Sequence, residues 1–144
     1  MNAIDESAIA IQTFLSYSQT FEQMVKTGDA SIIVPFLHIP AILIAPDQDP
    51  ILMASDSAIT VVFGQLIQQL KDAQFDHSKL TSINAKGLSP TEVIISGTAT
   101  RYKDAAETSI LQSFGFTYTL RKSGIDWKII LGIIHGIETA ITFG

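Results

Sequence analysis

Residues 114–134 read FGFTYTLRKSGIDWKIILGII, two apolar runs on either side of a short polar stretch. Within a first strand predicted over Ser109–Arg121, bulky side chains alternate with small or polar ones, as is typical of a half-buried β-strand. The bulky face carries Ile110, Phe114, Phe116, Tyr118 and Leu120. Lys122-Ser123-Gly124 then forms a turn before a second apolar run that begins at Trp127. The stretch predicts a β-hairpin whose bulky face belongs to the core.

The second strand of this hairpin is apolar on both faces. One face carries Trp127, Ile129, Leu131 and Ile133, and the other carries Ile130 and Ile134. Both faces of such a strand need cover, and a monomer rarely exposes an apolar patch of more than a few hundred Å². Helices of the same chain can cover one face. We predict that a second subunit covers the other, in a homodimer formed through the sheet.

Extended segments also precede the hairpin. From Thr91 to Tyr102 one face reads Val93, Ile95, Gly97 and Ala99, and the small residues on it permit sharp bending of the strand. Three short polar connections, Lys86–Pro90, Lys103–Glu107 and Lys122–Gly124, separate four such segments in this half of the chain. Because short connections join antiparallel neighbours, these segments predict an antiparallel meander.

Helical spacing dominates the first half of the chain. A first helix is predicted over residues 5–27, with Asp5 and Glu6 at its positive end and Gly28 after its last turn. Asp29 then caps a short helix that Pro35 bends or stops. A second long helix begins near residues 55–57 and runs to about residue 71. Between the helices, Ala41–Ile44 and residues 51–53 are predicted to form a hairpin.

Composition narrows the class of protein. The 144 residues fit one domain, predicted over 1–144, and 47% of them are apolar. A net charge of −5 with scattered basic residues disfavours nucleic acid as a partner. The longest apolar stretch, Ile32–Pro46, is too short and too interrupted for a membrane span, so we predict no membrane contact. The N-terminus lacks the pattern of a signal peptide, and the absence of cysteine suits a reducing compartment, which predicts a cytoplasmic location.

The order of these elements resembles the NTF2-like (SnoaL-like, cystatin-like α+β) superfamily. The resemblance covers essentially the whole chain and rests on Phe21 to Gly28-Asp29, on residues 36–40 (FLHIP), on residues 118–121 (YTLR), and on Gly124 with residues 126–129 (DWKI). It implies an α+β cone, in which a curved antiparallel sheet wraps around two long helices and one short helix. It also implies an interior pocket, and homodimers are common in the superfamily. Fold alone does not assign a function here.

Two catalytic patterns of this superfamily differ from the chain. Ketosteroid-isomerase-like members use a tyrosine on the first helix and a carboxylate base on the strand after the short helix. Here Phe21 occupies the tyrosine position and Ile42–Ala45 offers no ionisable group, although Tyr17 lies one turn earlier and can donate a hydrogen bond. Epoxide-hydrolase-like members hold an arginine between two aspartates. Arg101 has no such flanking pair, and we expect it to be a solvated residue at a strand end.

The histidines and acids give no metal or cofactor signature. The three histidines lack metal-ligand spacing, so neither a metal ion nor an organic cofactor is predicted. His38 and His135 can each place an imidazole at a pocket rim or serve as a hydrogen-bonded structural residue. Glu22 borders the buried stripe of the first helix and is predicted to be a solvated helix flank. No catalytic residue is assigned, and Tyr17, His38 and His135 remain the candidates.

Aromatic residues from the helices and the sheet converge on one region. They either line a cavity or fill the core, and the predicted ligand-binding set is Phe14, Tyr17, Phe21, His38, Phe63, Phe116 and Tyr118. The first hypothesis is a domain that binds a small apolar organic molecule and has no identifiable catalytic set. The alternatives are an enzyme of isomerase, dehydratase or polyketide-cyclase type that uses a Tyr or His in the pocket, and a protein-protein adaptor that binds through the sheet face.

Overall fold

A computed structural model describes residues 6–143. It contains two α-helices, α1 (Glu6–Thr27) and α2 (Asp56–Asp72), and two 3₁₀ helices, Ala30–Phe36 and Ile137–Thr139. The strands are β1 (Leu37–Ile44), β2 (Ile51–Met53), β3 (His77–Ser89), β4 (Glu92–Tyr102), β5 (Ile110–Ser123) and β6 (Asp126–His135). The predicted first helix includes Asp5, which lies outside the described residues.

The six strands form one curved sheet in the order β2-β1-β6-β5-β4-β3. Strands β3 to β6 are the predicted antiparallel meander, and β1 and β2 are the predicted hairpin. The sheet as a whole is mixed rather than antiparallel, because β1 pairs in parallel with β6. A parallel pair needs a long connection, and the chain between β1 and β6 supplies one through α2 and the meander. The α+β architecture predicted from the sequence is confirmed.

Local capping sets where the helices begin and end. Gly28 follows α1 with a φ of 75°, a left-handed conformation that is inexpensive only for glycine. The Asp29 carboxylate accepts from the backbone N–H of Ser31 and begins the 3₁₀ helix. The Ser55 hydroxyl accepts from the backbone N–H of Ala58 and begins α2. These caps lie where the sequence predicted them.

The core lies between the helices and one face of the sheet, called here the inner face. From β5, Phe116 and Tyr118 pack against Phe14 of α1, with ring centres 5.0 Å apart in both pairs. Fully buried side chains from α2, the 3₁₀ helix and β6 complete the core, including Phe63, Ile33 and Ile129. The opposite face is called the outer face.

Two predicted strand faces are wrong in part. Ile110 was expected on the bulky inner face of β5, but it is 61% exposed because the pairing of β4 and β5 shifts between Arg101 and Tyr102. In β6, the pairing shifts so that Leu120 lies opposite Ile129 and Thr119 lies opposite Leu131. The extra residue reverses the alternation beyond Ile130. Trp127 and Ile129 therefore face inward with Gly132 and Ile134, whereas Leu131 and Ile133 face outward.

The C-terminal segment covers part of the outer face. The side-chain amide of Asn84 donates to the carbonyl of Ile141 (2.8 Å), and its oxygen accepts from the backbone N–H of Phe143 (2.8 Å). The backbone N–H of Ile141 donates to the Ser96 hydroxyl (2.9 Å). A segment of the same chain thus covers the part of β3 and β4 around Asn84 and Ser96.

The helices are too short or too polar for a bilayer span. Over residues 6–143, no helix combines the length and the apolar character that crossing a membrane requires.

Candidate functional site

A cavity of about 450 Å³ lies between the helices and the inner face of the sheet. Tyr17 and Phe21 of α1 and Phe63 of α2 bound it on the helical side. The sheet contributes Tyr118 from β5 and Arg101 from β4. Its volume lies in the range of about 300–1,000 Å³ that is common for small-molecule sites.

The wall of the cavity is apolar and its rim is polar. Half-buried aliphatic side chains form the wall: Leu43, Ile51, Val62, Leu66 and Ile134. Four exposed glutamines lie among the lining residues: Gln48, Gln65, Gln69 and Gln112. Such a site can take up an apolar body and offers amide groups to the polar end of a ligand.

Gly132 is one reason why space exists here. It pairs directly with Tyr118 across β5 and β6. A Cβ atom at Gly132 would lie 2.9 Å from Cε2 of Tyr118 and 3.1 Å from Cδ2 of Leu43. The shift in the β6 pairing turns this glycine toward the cavity, so the phenol ring can lie flat against the strand instead of projecting farther into the space.

Two buried phenols lie side by side in the cavity floor. The ring centres of Tyr17 and Tyr118 are 6.0 Å apart, and both side chains are buried. Burial raises the pKa of Tyr17 well above its ordinary value, and the neighbouring Tyr118 phenol raises it further. Burial also raises the pKa of Tyr118, although Tyr17 and Arg101 oppose that effect. Both hydroxyls therefore keep their protons at neutral pH. The two phenols hydrogen-bond each other, so one O–H of the pair remains to donate to a ligand.

Arg101 is the charged residue of the cavity. It lies near the end of β4, as predicted, but it is half-buried and the prediction that it is solvated is wrong. Its guanidinium carbon lies 4.7 Å from the centre of the Phe114 ring and 5.8 Å from that of Phe21. Nη1 donates to Oε1 of Gln112 at 3.2 Å. The residue is half-buried, and this burial lowers the pKa of its guanidinium. The alternation of β4 turns Arg101 inward with Ala99, a signal that was already present in the sequence.

The other aromatic residues of the predicted set lie deeper. Phe14 and Phe116 stack on each other and border a separate recess of only about 50 Å³. This recess shares Tyr17, Phe21 and Tyr118 with the cavity. Tyr17, Phe21, Phe63 and Tyr118 thus line the larger space, whereas Phe14 and Phe116 mainly pack the core.

The structure does not bring the two candidate histidines to the cavity. His38 lies at the start of β1 with Nδ1 2.9 Å from the carbonyl oxygen of Pro40, and it borders a different surface depression. His135 faces outward, where Nε2 lies 2.8 Å from the Thr117 hydroxyl. The shifted register of β6 accounts for the outward position of His135. Neither imidazole shares a point of the cavity with Tyr17.

The chemistry of the lining follows from its ionisable groups. Among the described lining residues these are two phenols and one guanidinium, and no carboxylate or imidazole joins them. Within residues 6–143, His, Asp and Glu also form no cluster able to hold a metal ion. Glu22 is not among the lining residues, and its carboxylate accepts from the backbone N–H and the hydroxyl of Ser78 in β3. The site can bind and orient a molecule with hydrogen bonds and one positive charge.

Sequence reasoning missed the glutamine rim and the loop after β1. Gln65 and Gln69 are four residues apart on α2 and flank the apolar stripe of Val62 and Leu66, so helical spacing could have found them. Residues 45–48 carried only a turn signal, and no pattern places a turn beside a distant helix.

Comparisons with known proteins agree on the fold. The family model described as NTF2-like protein (DUF6841) matches residues 5–136. No curated protein matches the chain in sequence.

Solved structures with this fold come from several bacteria. An NTF2-like protein with a cystatin-like fold from Novosphingobium aromaticivorans is 12% identical, with a TM-score of 0.70 over 93% of this chain and 84% of that one. A protein of unknown function with a cystatin-like fold from Nostoc punctiforme is 14% identical, with a TM-score of 0.66 over 93% of each chain. A ketosteroid isomerase-like protein from Erwinia carotovora atroseptica is 11% identical, with a TM-score of 0.62 over 92% and 96%. At these identities the similarity shows the fold alone.

Proposed function

We propose that this chain, which belongs to the NTF2-like family DUF6841, binds a small organic molecule with an apolar body in the cavity between its helices and its sheet. The resemblance drawn from the sequence to NTF2-like proteins is confirmed by that family match and by the structural neighbours. Fold does not assign a function, so the proposal rests on the site itself.

The single observation that carries the proposal is the lined cavity of about 450 Å³. Aliphatic side chains provide most of its wall, and the polar groups are few and grouped at the rim and floor. An apolar ligand that fills this space removes both its own surface and the wall from water, which stabilises the complex by about 25 cal/mol per Å² of apolar area. The hydrogen-bonded pair Tyr17 and Tyr118 supplies an O–H that fixes the orientation of the ligand.

A cavity-filling substitution tests the proposal. Val62 lines the cavity, whereas Val61 is 60% exposed on the same helix. We expect Val62→Trp to fill the space and Val61→Trp to leave it open. In a thermal-shift screen of small apolar acids, ketones and alcohols, ligands should raise the Tm of the wild type and of Val61→Trp, because they bind only the native state. They should not raise that of Val62→Trp. Equal shifts in both variants, or no shift in any protein, would contradict binding in this cavity.

A homodimer through the outer face is a further part of the proposal. Outside the area covered by the C-terminal segment, β1, β2 and β6 present an apolar surface formed by Ile42, Leu52, Leu131 and Ile133. Leu52 is 62% exposed, and burial of this surface against a second copy would remove it from water. Sedimentation of the wild type and of Leu52→Lys tests the dimer. The adaptor role and the cytoplasmic location remain predictions.

A further inference from the structure

We infer that the cavity selects an organic monocarboxylate, whose carboxylate binds the guanidinium of Arg101 while its hydrocarbon body lies against the aliphatic wall. This inference rests on the proposed function and adds a charge to the ligand, which the sequence-based hypothesis described only as apolar.

The first support is the charge of the lining. Among the described residues that line the cavity, Arg101 alone carries a charge at neutral pH. No Asp, Glu, Lys or His joins it there. The cavity therefore presents one positive charge to a ligand, which favours an anion and repels a cation.

The second support is that Arg101 has no acidic partner within the described part of the chain. The chain has only one other arginine, Arg121, and that residue forms an ion pair with Glu92. The salt bridges of residues 6–143 do not include Arg101. In a protein with 14 acidic and nine basic residues, a half-buried cation without a counter-ion is costly, since burial disfavours its charged form.

The third support is the way in which the guanidinium is held. Phe114 and Phe21 lie near it at 4.7 and 5.8 Å from their ring centres, within the range of cation-π contacts. Gln112 accepts one hydrogen bond from Nη1. A guanidinium has five N–H donors in a planar fork that matches a carboxylate. Held in this way, the fork needs little further ordering to bind an anion.

The fourth support concerns the class of anion. Tyr17 and Tyr118 line the same cavity as Arg101, and because the two neutral phenols hydrogen-bond each other, one O–H of the pair remains as a further donor. One guanidinium with two neutral phenols matches a single delocalised negative charge. A phosphate monoester carries nearly two charges at neutral pH, and the lining offers no second cation. The apolar wall then favours a hydrocarbon body over a polar one.

A matched pair of probes tests this inference. Octanoate and octanamide have the same chain length, and only octanoate is charged at pH 7.5. By isothermal titration calorimetry we expect the wild type to bind octanoate about 10- to 100-fold more tightly than octanamide, as hydrogen bonds to charged groups typically contribute. Arg101→Met should lose this preference and still bind octanamide.

A second variant adds a counter-ion instead of removing the cation. Gln112 already accepts a hydrogen bond from Arg101, so Gln112→Glu places a carboxylate beside the guanidinium with little change of shape. We expect this variant to fold at least as stably as the wild type and to lose the preference for octanoate. If Arg101→Met does not fold, Gln112→Glu still tests the inference.

The outcomes separate the two claims. A preference for octanoate that both variants lose supports the inference. Equal binding of the two probes by the wild type, with both lost in Val62→Trp, overturns the inference and leaves the proposed function standing. A preference that persists in Arg101→Met or in Gln112→Glu also overturns the inference. Binding of neither probe counts against the proposed function as well.

Discussion

Gly132 lies directly opposite Tyr118 in the ladder of β5 and β6, and a Cβ atom at Gly132 would lie 2.9 Å from Cε2 of the tyrosine ring. That separation is too short for an ordinary contact, so the ring occupies the place of a missing side chain. The position of Tyr118 in the cavity floor thus depends on a glycine in the neighbouring strand.

Replacement of Gly132 by alanine tests this relationship. The new methyl group must push the Tyr118 ring toward the cavity or separate the strands, and overpacking of this kind costs about 1–3 kcal/mol of unfolding free energy. Urea unfolding measures that loss, and the NMR shifts of the Tyr118 ring report its displacement. Gly87→Ala is the control, because its Cβ would meet only the Ser7 hydroxyl at an ordinary 3.6 Å. An equally stable Gly132→Ala protein would contradict this explanation.

The close approach of strands at Gly97 gives a second prediction. A Cβ atom there would lie 2.1 Å from the carbonyl oxygen of Ser82 and 2.8 Å from Cζ of Phe116. Since a backbone oxygen cannot move aside cheaply, we expect Gly97→Ala to lower the unfolding free energy by at least about 2 kcal/mol.

Gly64 is the matched control for Gly97. It lies in α2, and its Cβ would meet nothing within 4 Å. Gly64→Ala should therefore raise the unfolding free energy by about 0.5–1 kcal/mol, because alanine loses less backbone entropy in a helix. Urea unfolding of both variants should show opposite signs, and equal effects would be inconsistent with a close approach of β3 to β4 at Gly97.

Buried tyrosines predict a loss of stability at alkaline pH. The pKa values of Tyr17 and Tyr118 are raised in the folded state, so the unfolded chain releases these protons first. The stability that the two protonated phenols contribute is complete below the ordinary tyrosine pKa of about 10. It is lost as the pH rises from there toward the pKa values of the folded state. Each tyrosine should lower the unfolding free energy by up to about 1.4 kcal/mol per pH unit.

Urea unfolding between pH 9 and pH 11 measures this slope. Tyr17→Phe keeps the ring and removes one ionisable proton, so its unfolding free energy should fall less steeply with pH. Identical slopes for the variant and the wild type would refute the assignment to Tyr17.

Asn84 predicts how the C-terminal segment is held. Its side chain bonds the carbonyl of Ile141 and the backbone N–H of Phe143. Asn84→Ala removes both bonds, and we expect the Phe143 amide to exchange with solvent at least about tenfold faster. Ser82→Ala is the control on the same strand, since its hydroxyl is bonded to Thr98. Hydrogen exchange followed by NMR measures both, and unchanged protection in Asn84→Ala would show that other contacts hold the segment.

The sequence predicted the elements of the fold well because their signals are local. Periodicity placed α1, α2 and the meander, and cap residues such as Asp29 and Ser55 marked helix starts. The parallel pairing of β1 with β6 has no local signal, since it joins residues about 90 positions apart. The shifted pairing near Ile130 also escaped, because every residue there is apolar and an extra one does not interrupt the pattern.

The lining of the cavity could be predicted from the sequence where a residue type and a face sufficed. Tyr17, Phe21, Phe63 and Tyr118 follow from the inward faces of α1, α2 and β5. Arg101 was misjudged because burial priors for arginine outweighed the alternation that turned it inward. His135 lies away from the cavity because of the shifted pairing of β6, which has no local signal in the sequence, and no local pattern fixes the position of His38 at the start of β1.

Methyl NMR during an octanoate titration tests the central claim most directly, since one spectrum contains both faces of the sheet. If octanoate binds in the cavity, the methyl signals of the wall residues Leu43, Leu66 and Ile134 should shift until binding saturates. The methyl signals of the outer-face residues Ile42, Leu52 and Ile133 should not shift. Shifts confined to the outer face, or none at a saturating concentration of octanoate, would contradict binding in the cavity.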